Sequence, residues 1–291
     1  MKNSESALFQ NFLSLNDFST HTIKAITHDY QKWIAWFEQI NEEQYSSQRV
    51  TIRDVTDFRK HLREERCQAV ATVDRCLVTL RRYFQFLAEK EVIETNPAKG
   101  VKELRRTPTA PKAISRAAVR RLLREATVRE DHRASAILGL FVFCGLRISE
   151  VSALKLGDID LTERRGSLLV RHGKHNKERL VPVPIEARRM LESYLVSRPP
   201  AETDYIFVGR GLKPLGIDGV RYTIQKYGVA IGLDLHPHAL RHTFATQYLE
   251  ANNNDLVGLA QILGHESIQT TSRYTQRGEL QLSAASALVS F

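Results

Sequence analysis

The sequence contains little of what secreted and membrane proteins depend on. Only three of its 291 residues are cysteine, and Cys67, Cys76 and Cys144 have no paired spacing, which argues for a reducing compartment. No apolar run approaches the ~18 to 20 residues that a membrane span needs, and the first residues lack the apolar core of a secretory signal. With 15 glycines and 9 prolines it is not a low-complexity sequence either. We therefore expect a globular, cytoplasmic protein.

Positive charge is concentrated in one part of the chain. Residues 1–104 contain 15 basic and 15 acidic residues, whereas residues 105–291 contain 27 and 18 and carry the whole net charge of +9. Nine basic residues against three acidic ones fall within 105–133 alone. Such a localised bias favours a polyanionic partner, most simply a nucleic-acid backbone. A solvated basic face kept for solubility is the alternative.

Helical periodicity dominates the first hundred residues. Apolar stripes predict four helices, near 5–14, over 19–40, from Thr51 onward and over about 69–90. Trp33, Trp36 and Phe37 recur at helical spacing, so we expect them to pack in a core rather than to stack on nucleic-acid bases. Residues 1–104 are therefore predicted to form a compact all-α domain.

A second domain is predicted beyond a linker. Two prolines and three basic residues make 105–113 an extended linker. Further helices are predicted to begin after Ser115 and to cover 133–145, 185–197, 217–231, 237–250 and 256–263. Segments 167–172 and 178–183 predict a small antiparallel hairpin around a turn. The second domain, 114–291, is therefore expected to be mixed α/β and mostly helical, with an apolar C-terminal tail, 278–291, that needs a surface to dock on.

The stretch 236–250 combines charge with a helical pattern. Pro237 suits the first turn of a helix, and His238 and Arg241, three residues apart, lie on one face. A proton donor beside a planar cation is what a phosphate diester requires. His238 and His242 also have the spacing of a zinc pair. However, the next residue, Ala239, is not the glutamate of metalloproteases and no third ligand is indicated, so no metal is expected.

A second candidate group follows the apolar helix 133–145. Leu146 and then Arg147 follow the glycine that ends this helix, and Glu150 could fix the Arg147 guanidinium through charge-assisted hydrogen bonds. An ordinary surface ion pair is the alternative. Lys174 lies at or near the tip of the predicted hairpin, where a lysine is usually only solvated.

Five motifs stand in an order that resembles a known family. They are Gly145–Glu150, Gly173–Lys174, His238–His242, Leu263–His265 and Tyr274. Together they resemble the tyrosine recombinase (phage integrase) family, and most closely its bacterial Xer-type members, over essentially the whole chain. The resemblance implies an N-terminal SAM-like core-binding helical domain followed by the catalytic domain. Cys144 stands where many relatives have threonine, a change expected to affect packing more than chemistry.

The resemblance also implies a role for each residue of the site. Tyr274 would attack a DNA phosphate and form a 3′-phosphotyrosyl bond, while Arg147 and Arg241 bind the non-bridging oxygens. Lys174 would act as general acid and His238 as general base, with His265 donating to the phosphate. Glu150 and His242 would support this group. The residues expected to contact DNA are Arg105, Arg106, Lys112, Arg120, Arg121, Arg171, Lys177, Arg179 and Arg273.

The implied partner is double-stranded DNA with inverted-repeat half-sites. Four identical subunits, or two pairs with a related recombinase, would exchange strands of two sites through a Holliday junction, with no cofactor, metal or ATP. The sequence leaves open whether the role is dimer resolution, integration and excision, or resolution of a mobile element. A type IB topoisomerase and a non-catalytic, sequence-specific DNA-binding protein on the same fold are the competing classes.

Overall fold

The computed structural model describes residues 2–104, 113–162, 165–171 and 178–264. By its internal contacts the chain divides into two compact units, Met1–Pro108 and Thr109–Phe291. Each unit is built around its own cluster of buried apolar side chains.

The described part of the N-terminal unit contains the four predicted helices. They are α1 (Lys2–Ser14), α2 (Thr20–Asn41), α3 (Ile52–Lys60) and α4 (Val70–Glu89). The N-terminus of α3 is fixed by a reciprocal capping box, in which the Thr51 N–H donates to the Asp54 carboxylate at 2.8 Å and the Asp54 N–H donates to the Thr51 hydroxyl at 3.3 Å. A cap of this kind stabilises a helix by about 1 kcal/mol. A π-helical turn, His61–Glu65, extends α3 beyond its last regular turn.

Aromatic rings fill the core of this unit. Trp33 is fully buried, and Trp36 and Phe37 are nearly so. Trp33 meets the rings of Phe58 and Phe84 edge-on, at centroid distances of 5.2 and 6.1 Å, which is a favourable aromatic geometry. The prediction that these aromatic residues form a core is confirmed, so they are not available to stack on bases.

The described part of the second unit contains seven helices. They are α5 (Arg116–Val128), α6 (His132–Cys144), α7 (Ile148–Ala153), α8 (Ile185–Ser197), α9 (Ile217–Ala230), α10 (Pro237–Ala251) and α11 (Leu256–Leu263). Ten of the thirteen residues of α6 are buried, because α5, α8, α9 and α10 all pack around it. Cys144 lies in this core, where burial raises the pKa of its thiol to about 12. Among the described residues, no helix combines the length and apolarity needed to cross a membrane.

A three-stranded antiparallel sheet completes the second unit. Its strands are β1 (Ile159–Leu161), β2 (Gly166–Val170) and β3 (Arg179–Pro182), in the order β1-β2-β3. The β2–β3 pairing confirms the predicted hairpin, and its register places Leu168 opposite Val181 and Val170 opposite Arg179. Strand β1 was not predicted, because three residues are too few to establish an alternating pattern.

Two glycines end the helices that border the site. Gly145 follows α6 and Gly264 follows α11, both in the left-handed region, with φ of 62° and 63°. At Gly145 the space is closed as well, since a Cβ there would lie 2.3 Å from Cδ1 of Phe244. The predicted helix ends are therefore confirmed, and both place backbone carbonyls next to the candidate arginines.

Candidate active site

Arg147 stands between two helices. Gly145 turns the chain out of α6, Leu146 is fully buried, and Arg147 is the N-cap of the short helix α7. A capping residue one step after a buried leucine has little freedom, so the direction of its side chain is set by the fold. The Arg147 side chain keeps 30% of its surface exposed.

Glu150 holds Arg147 at both its backbone and its side chain. One carboxylate oxygen accepts from the Arg147 N–H at 2.7 Å, and the other accepts from Nη1 at 2.7 Å. The Glu150 side chain is only 2% exposed. The alternative of a surface ion pair is therefore wrong, because this carboxylate is inside the protein.

Arg241 approaches the same carboxylate from α10. Its Nη1 lies 3.8 Å from Oε2 of Glu150, and its side chain is 6% exposed. Nη1 donates to the carbonyl of Gly145 at 2.5 Å, and Nη2 donates to the carbonyl of Leu263 at 2.8 Å. The guanidinium therefore ties together the C-terminal ends of α6 and α11, where the helix dipoles favour a cation.

The sequence predicts Arg179 to contact DNA, but in the structure its side chain is directed at Glu150. Its Nη1 and Nη2 donate to the two oxygens of Glu150, each at 2.9 Å, and Nε donates to the carbonyl of Ile262 at 2.8 Å. The side chain is 12% exposed. All three nitrogens of the guanidinium thus donate to groups of its own unit.

Three guanidinium groups thus converge on one buried carboxylate. Burial alone would raise the pKa of Glu150, but the hydrogen bonds and charge of Arg179, followed by those of Arg147, outweigh it and lower the pKa below its usual value. Glu150 is therefore an anion at neutral pH. A site with three cations and one anion retains positive charge for a phosphate.

Three histidines lie at or within α10, and they occupy different environments. His236 caps this helix, its Nδ1 accepting from the Ala239 N–H at 3.1 Å, and Pro237 takes the first turn as predicted. His238 is exposed at this end of the helix, whereas His242 is buried at 7% exposure. His238 is thus accessible to solvent, and the burial of His242 fits a supporting role.

The remaining predicted residues divide into two sets. Arg120 and Arg121 are exposed on α5, with Arg121 donating to the carbonyl of Ile231 at 3.0 Å. Arg171 is half-exposed and is paired with the buried Asp158 at 2.5 Å. Lys174, His265, Tyr274, Arg105, Arg106, Lys112, Lys177 and Arg273 lie outside the described residues.

A signal for the inward direction of Arg179 was present in the sequence. Alternate residues of a strand share a face, and Arg179 has the parity of Val181 and Val183, whereas the other parity includes the charged Glu178. In the structure Val181 is fully buried. Leu180, of the other parity, is 68% exposed. Reading the alternation would have placed Arg179 against the core rather than on the outer face of the hairpin.

Comparison with known proteins places the chain in a family. Residues 112–279 match the phage integrase family, and residues 7–91 match the phage integrase N-terminal SAM-like domain. The tyrosine recombinase XerC of Actinobacillus pleuropneumoniae serotype 7 is 37% identical over 204 residues, which is 68% of this chain and 65%, just under two thirds, of that protein. The tyrosine recombinase XerA of Thermococcus kodakarensis is 31% identical over 273 residues, covering 92% of this chain and 89% of that protein.

A solved structure agrees on the fold. The XerH site-specific recombinase bound to palindromic difH substrate, in a post-cleavage complex, superposes with a TM-score of 0.77 at 19% identity, covering 97% of this chain and 84% of that chain. From these matches, the chain belongs to the phage integrase family of tyrosine recombinases.

Proposed function

We propose that this protein is a site-specific DNA recombinase that cuts and rejoins strands through a phosphotyrosyl bond at Tyr274. The observation that carries the proposal is the convergence of Arg147 and Arg241, from separate elements, on the buried carboxylate of Glu150. Two fixed guanidinium groups with surplus positive charge suit the non-bridging oxygens of a phosphodiester, whose negative charge increases in the pentavalent transition state.

The proposed step conserves the number of phosphate ester bonds. The phenolic oxygen of Tyr274 bonds to phosphorus, the bond to the 5′-oxygen breaks, and a 3′-phosphotyrosyl ester forms. His238 takes the proton of the phenol, and Lys174 gives a proton to the departing 5′-oxygen. In the reverse step, a 5′-hydroxyl from the other duplex attacks the same phosphorus. The bond energy stays in the phosphotyrosine, so no nucleotide is needed.

Double-stranded DNA is the proposed partner. The solved XerH recombinase is bound to its difH substrate, and in this chain the net positive charge lies in residues 105–291. We further propose that four subunits act on two synapsed sites with inverted-repeat half-sites, either as four copies or with a related recombinase. The tail 278–291 is the proposed contact between adjacent subunits.

Covalent trapping tests the chemistry. The protein is incubated with a pool of 60-base-pair duplexes that have a random central segment, SDS is added, and DNA that remains attached to protein is recovered and sequenced. Wild type should yield an enriched sequence on a peptide containing Tyr274, and Tyr274→Phe should yield none while still binding the enriched duplex. Tyr274→Phe forming the adduct at the wild-type level would refute the assignment of the nucleophile.

Two further outcomes separate the competing classes. Relaxation of supercoiled plasmid without an enriched site would favour a type IB topoisomerase, and binding without an adduct would favour a non-catalytic DNA-binding protein. Deleting residues 280–291 tests the tail: binding of one subunit to a half-site should persist while cooperative binding to the full site weakens. Normal recombination by the truncated protein would contradict the role of the tail.

A further inference from the structure

Among the ion pairs that the structure describes at the candidate site, that of Arg179 has the best geometry. Arg179 meets Glu150 with two parallel hydrogen bonds of 2.9 Å, one to each oxygen, and its third nitrogen donates to the carbonyl of Ile262 at 2.8 Å. This bidentate geometry is the strongest arrangement available to an arginine and a carboxylate. Arg147 and Arg241 reach the same carboxylate by a single side-chain contact each, at 2.7 and 3.8 Å.

The arrangement has a consequence for charge. Glu150 carries one negative charge, and Arg179 neutralises it through both oxygens. Three guanidinium groups around one carboxylate leave this group with a net positive charge, beside which a phosphate can bind. Without Arg179, the buried carboxylate would take one of these two arginines as its main counterion, because a buried charge needs a partner. The site would then lose positive charge and its geometry together.

The same guanidinium also supports the end of α11. A Cβ built on Gly264 would lie 3.0 Å from Cδ and Nη1 of Arg179, so the arginine packs directly against this backbone. The carbonyl of Gly264 in turn accepts from Nη2 of Arg147 at 3.4 Å. Arg179 thus joins strand β3, Glu150 and the terminus of α11 into one contact group.

We infer that Arg179 is a positioning residue, which acts through Glu150 to keep Arg147 and Arg241 oriented for the scissile phosphate, and that it is not a DNA contact. The inference rests on the proposed function, since it assigns Arg147 and Arg241 to the phosphate. An arginine is required, because only a planar fork reaches both oxygens of Glu150 and the Ile262 carbonyl at once. A lysine supplies the charge without this geometry.

The test separates binding from chemistry. The probe is the duplex enriched by covalent trapping, nicked beside the cleavage position so that the adduct accumulates. Affinity is measured by fluorescence anisotropy, and the single-turnover rate of adduct formation is measured at saturating protein. Arg179→Lys and Arg179→Met should bind within about threefold of wild type but react about 100-fold more slowly, the scale expected for misplaced catalytic groups.

Two comparisons identify the route through Glu150. If Arg179 acts through this carboxylate, the double variant Glu150→Gln with Arg179→Met should react no more slowly than the worse single variant. Arg188→Met is the matched control, because Arg188 is a buried arginine of the same unit that donates to the Thr162 carbonyl and contacts none of these groups. It should lower thermal stability and leave the rate of the folded protein unchanged.

The pH dependence of the rate of adduct formation distinguishes a positioning role from a merely structural one. In Arg179→Met the carboxyl of Glu150 stays buried and loses its strongest partner, so its pKa should rise and an extra acid limb should appear. That limb should be absent from wild type and from the double variant. Within the part of the chain that the structure describes, the other charged groups around Glu150 are Arg147, Arg241, Lys155, Asp158 and Arg171, and all of them are unchanged in this comparison.

Each outcome either supports or overturns the inference on Arg179. A tenfold loss of affinity with an unchanged rate would make Arg179 a DNA contact and overturn the inference. Wild-type rates in both variants, or multiplicative losses in the double variant, would also overturn it. If Arg179→Met does not fold, Arg179→Lys provides the same comparison with the charge retained. Absence of an adduct with wild type, by contrast, would remove the proposed function itself.

Discussion

Arg241 donates from Nη1 to the carbonyl of Gly145 at 2.5 Å, across 96 residues of sequence. Nη2 of the same guanidinium donates to the carbonyl of Leu263 at 2.8 Å. One buried side chain therefore fastens α10 to the ends of two other helices. A proposed catalytic arginine is in this way also part of the tertiary structure, and its orientation depends on backbone groups rather than on other side chains alone.

Arg241→Lys should damage both stability and chemistry. A single ammonium on a flexible stem cannot serve both carbonyls in this geometry, and a buried acceptor left without its partner costs about 1 to 3 kcal/mol. We expect the free energy of unfolding to fall by about this amount in urea titrations, and the covalent adduct to be lost. Arg188→Lys is the control, since among the described residues the Arg188 side chain makes one hydrogen bond, to the Thr162 carbonyl, which a lysine can replace. Equal losses in the two variants would contradict the double role of Arg241.

Comparing the stability of Gly145→Ala with that of Gly232→Ala should distinguish the cost of backbone strain from the cost of steric overlap. Gly145 and Gly232 both have positive φ, 62° and 75°, but only Gly145 has a neighbour that a Cβ would strike. Gly232→Ala should cost roughly 1 kcal/mol of unfolding free energy from strain alone, and Gly145→Ala a further 1 to 3 kcal/mol or so from overpacking. Gly157→Ala, where the space is open, is the neutral control. Similar costs at Gly145 and Gly232 would show that Phe244 moves aside freely.

Glu150→Gln should have a pH-dependent effect on stability. The pKa of Glu150 is lowered in the folded protein from its usual value of 4.5, so its contribution is fully present above that value and is lost as the pH falls through the folded-state pKa. We expect a loss of about 3 kcal/mol at pH 7 that shrinks below pH 4.5. Glu103→Gln, which removes an exposed partner of Arg81, should cost less than about 1 kcal/mol. A constant difference between wild type and Glu150→Gln from pH 7 to pH 4 would disprove the stabilised anion.

Arg120→Ala should reduce the salt dependence of DNA binding. Arg120 is exposed on α5, within the basic stretch 105–133, and it is one of the residues that we predict to contact the DNA backbone. Losing one phosphate contact should lower the slope of log affinity against log salt by about 0.9, measured by anisotropy between 50 and 200 mM salt. Arg189→Ala removes the same charge from the exposed surface of α8 and should leave the slope unchanged. Identical slopes for both variants and wild type would remove Arg120 from the interface.

Local patterns predicted most of the helical architecture. Helices α8 and α11 run over 185–197 and 256–263, the predicted bounds, because apolar periodicity, caps and terminal glycines are all encoded within a few residues. The short elements α7 and β1 were missed, since six and three residues carry too little periodicity to stand out from a loop.

The sequence by itself determined the order of the helices, the hairpin and the residue types that suit a phosphate, because each depends on neighbours in the chain. Only the tertiary structure decided where those residues point. It turned Arg179 inward onto Glu150, and it brought the carbonyls of Gly145 and Leu263 to Arg241. The physical reason is that backbone carbonyls have no signature in a sequence, and an arginine selects its partner only after distant segments have packed together.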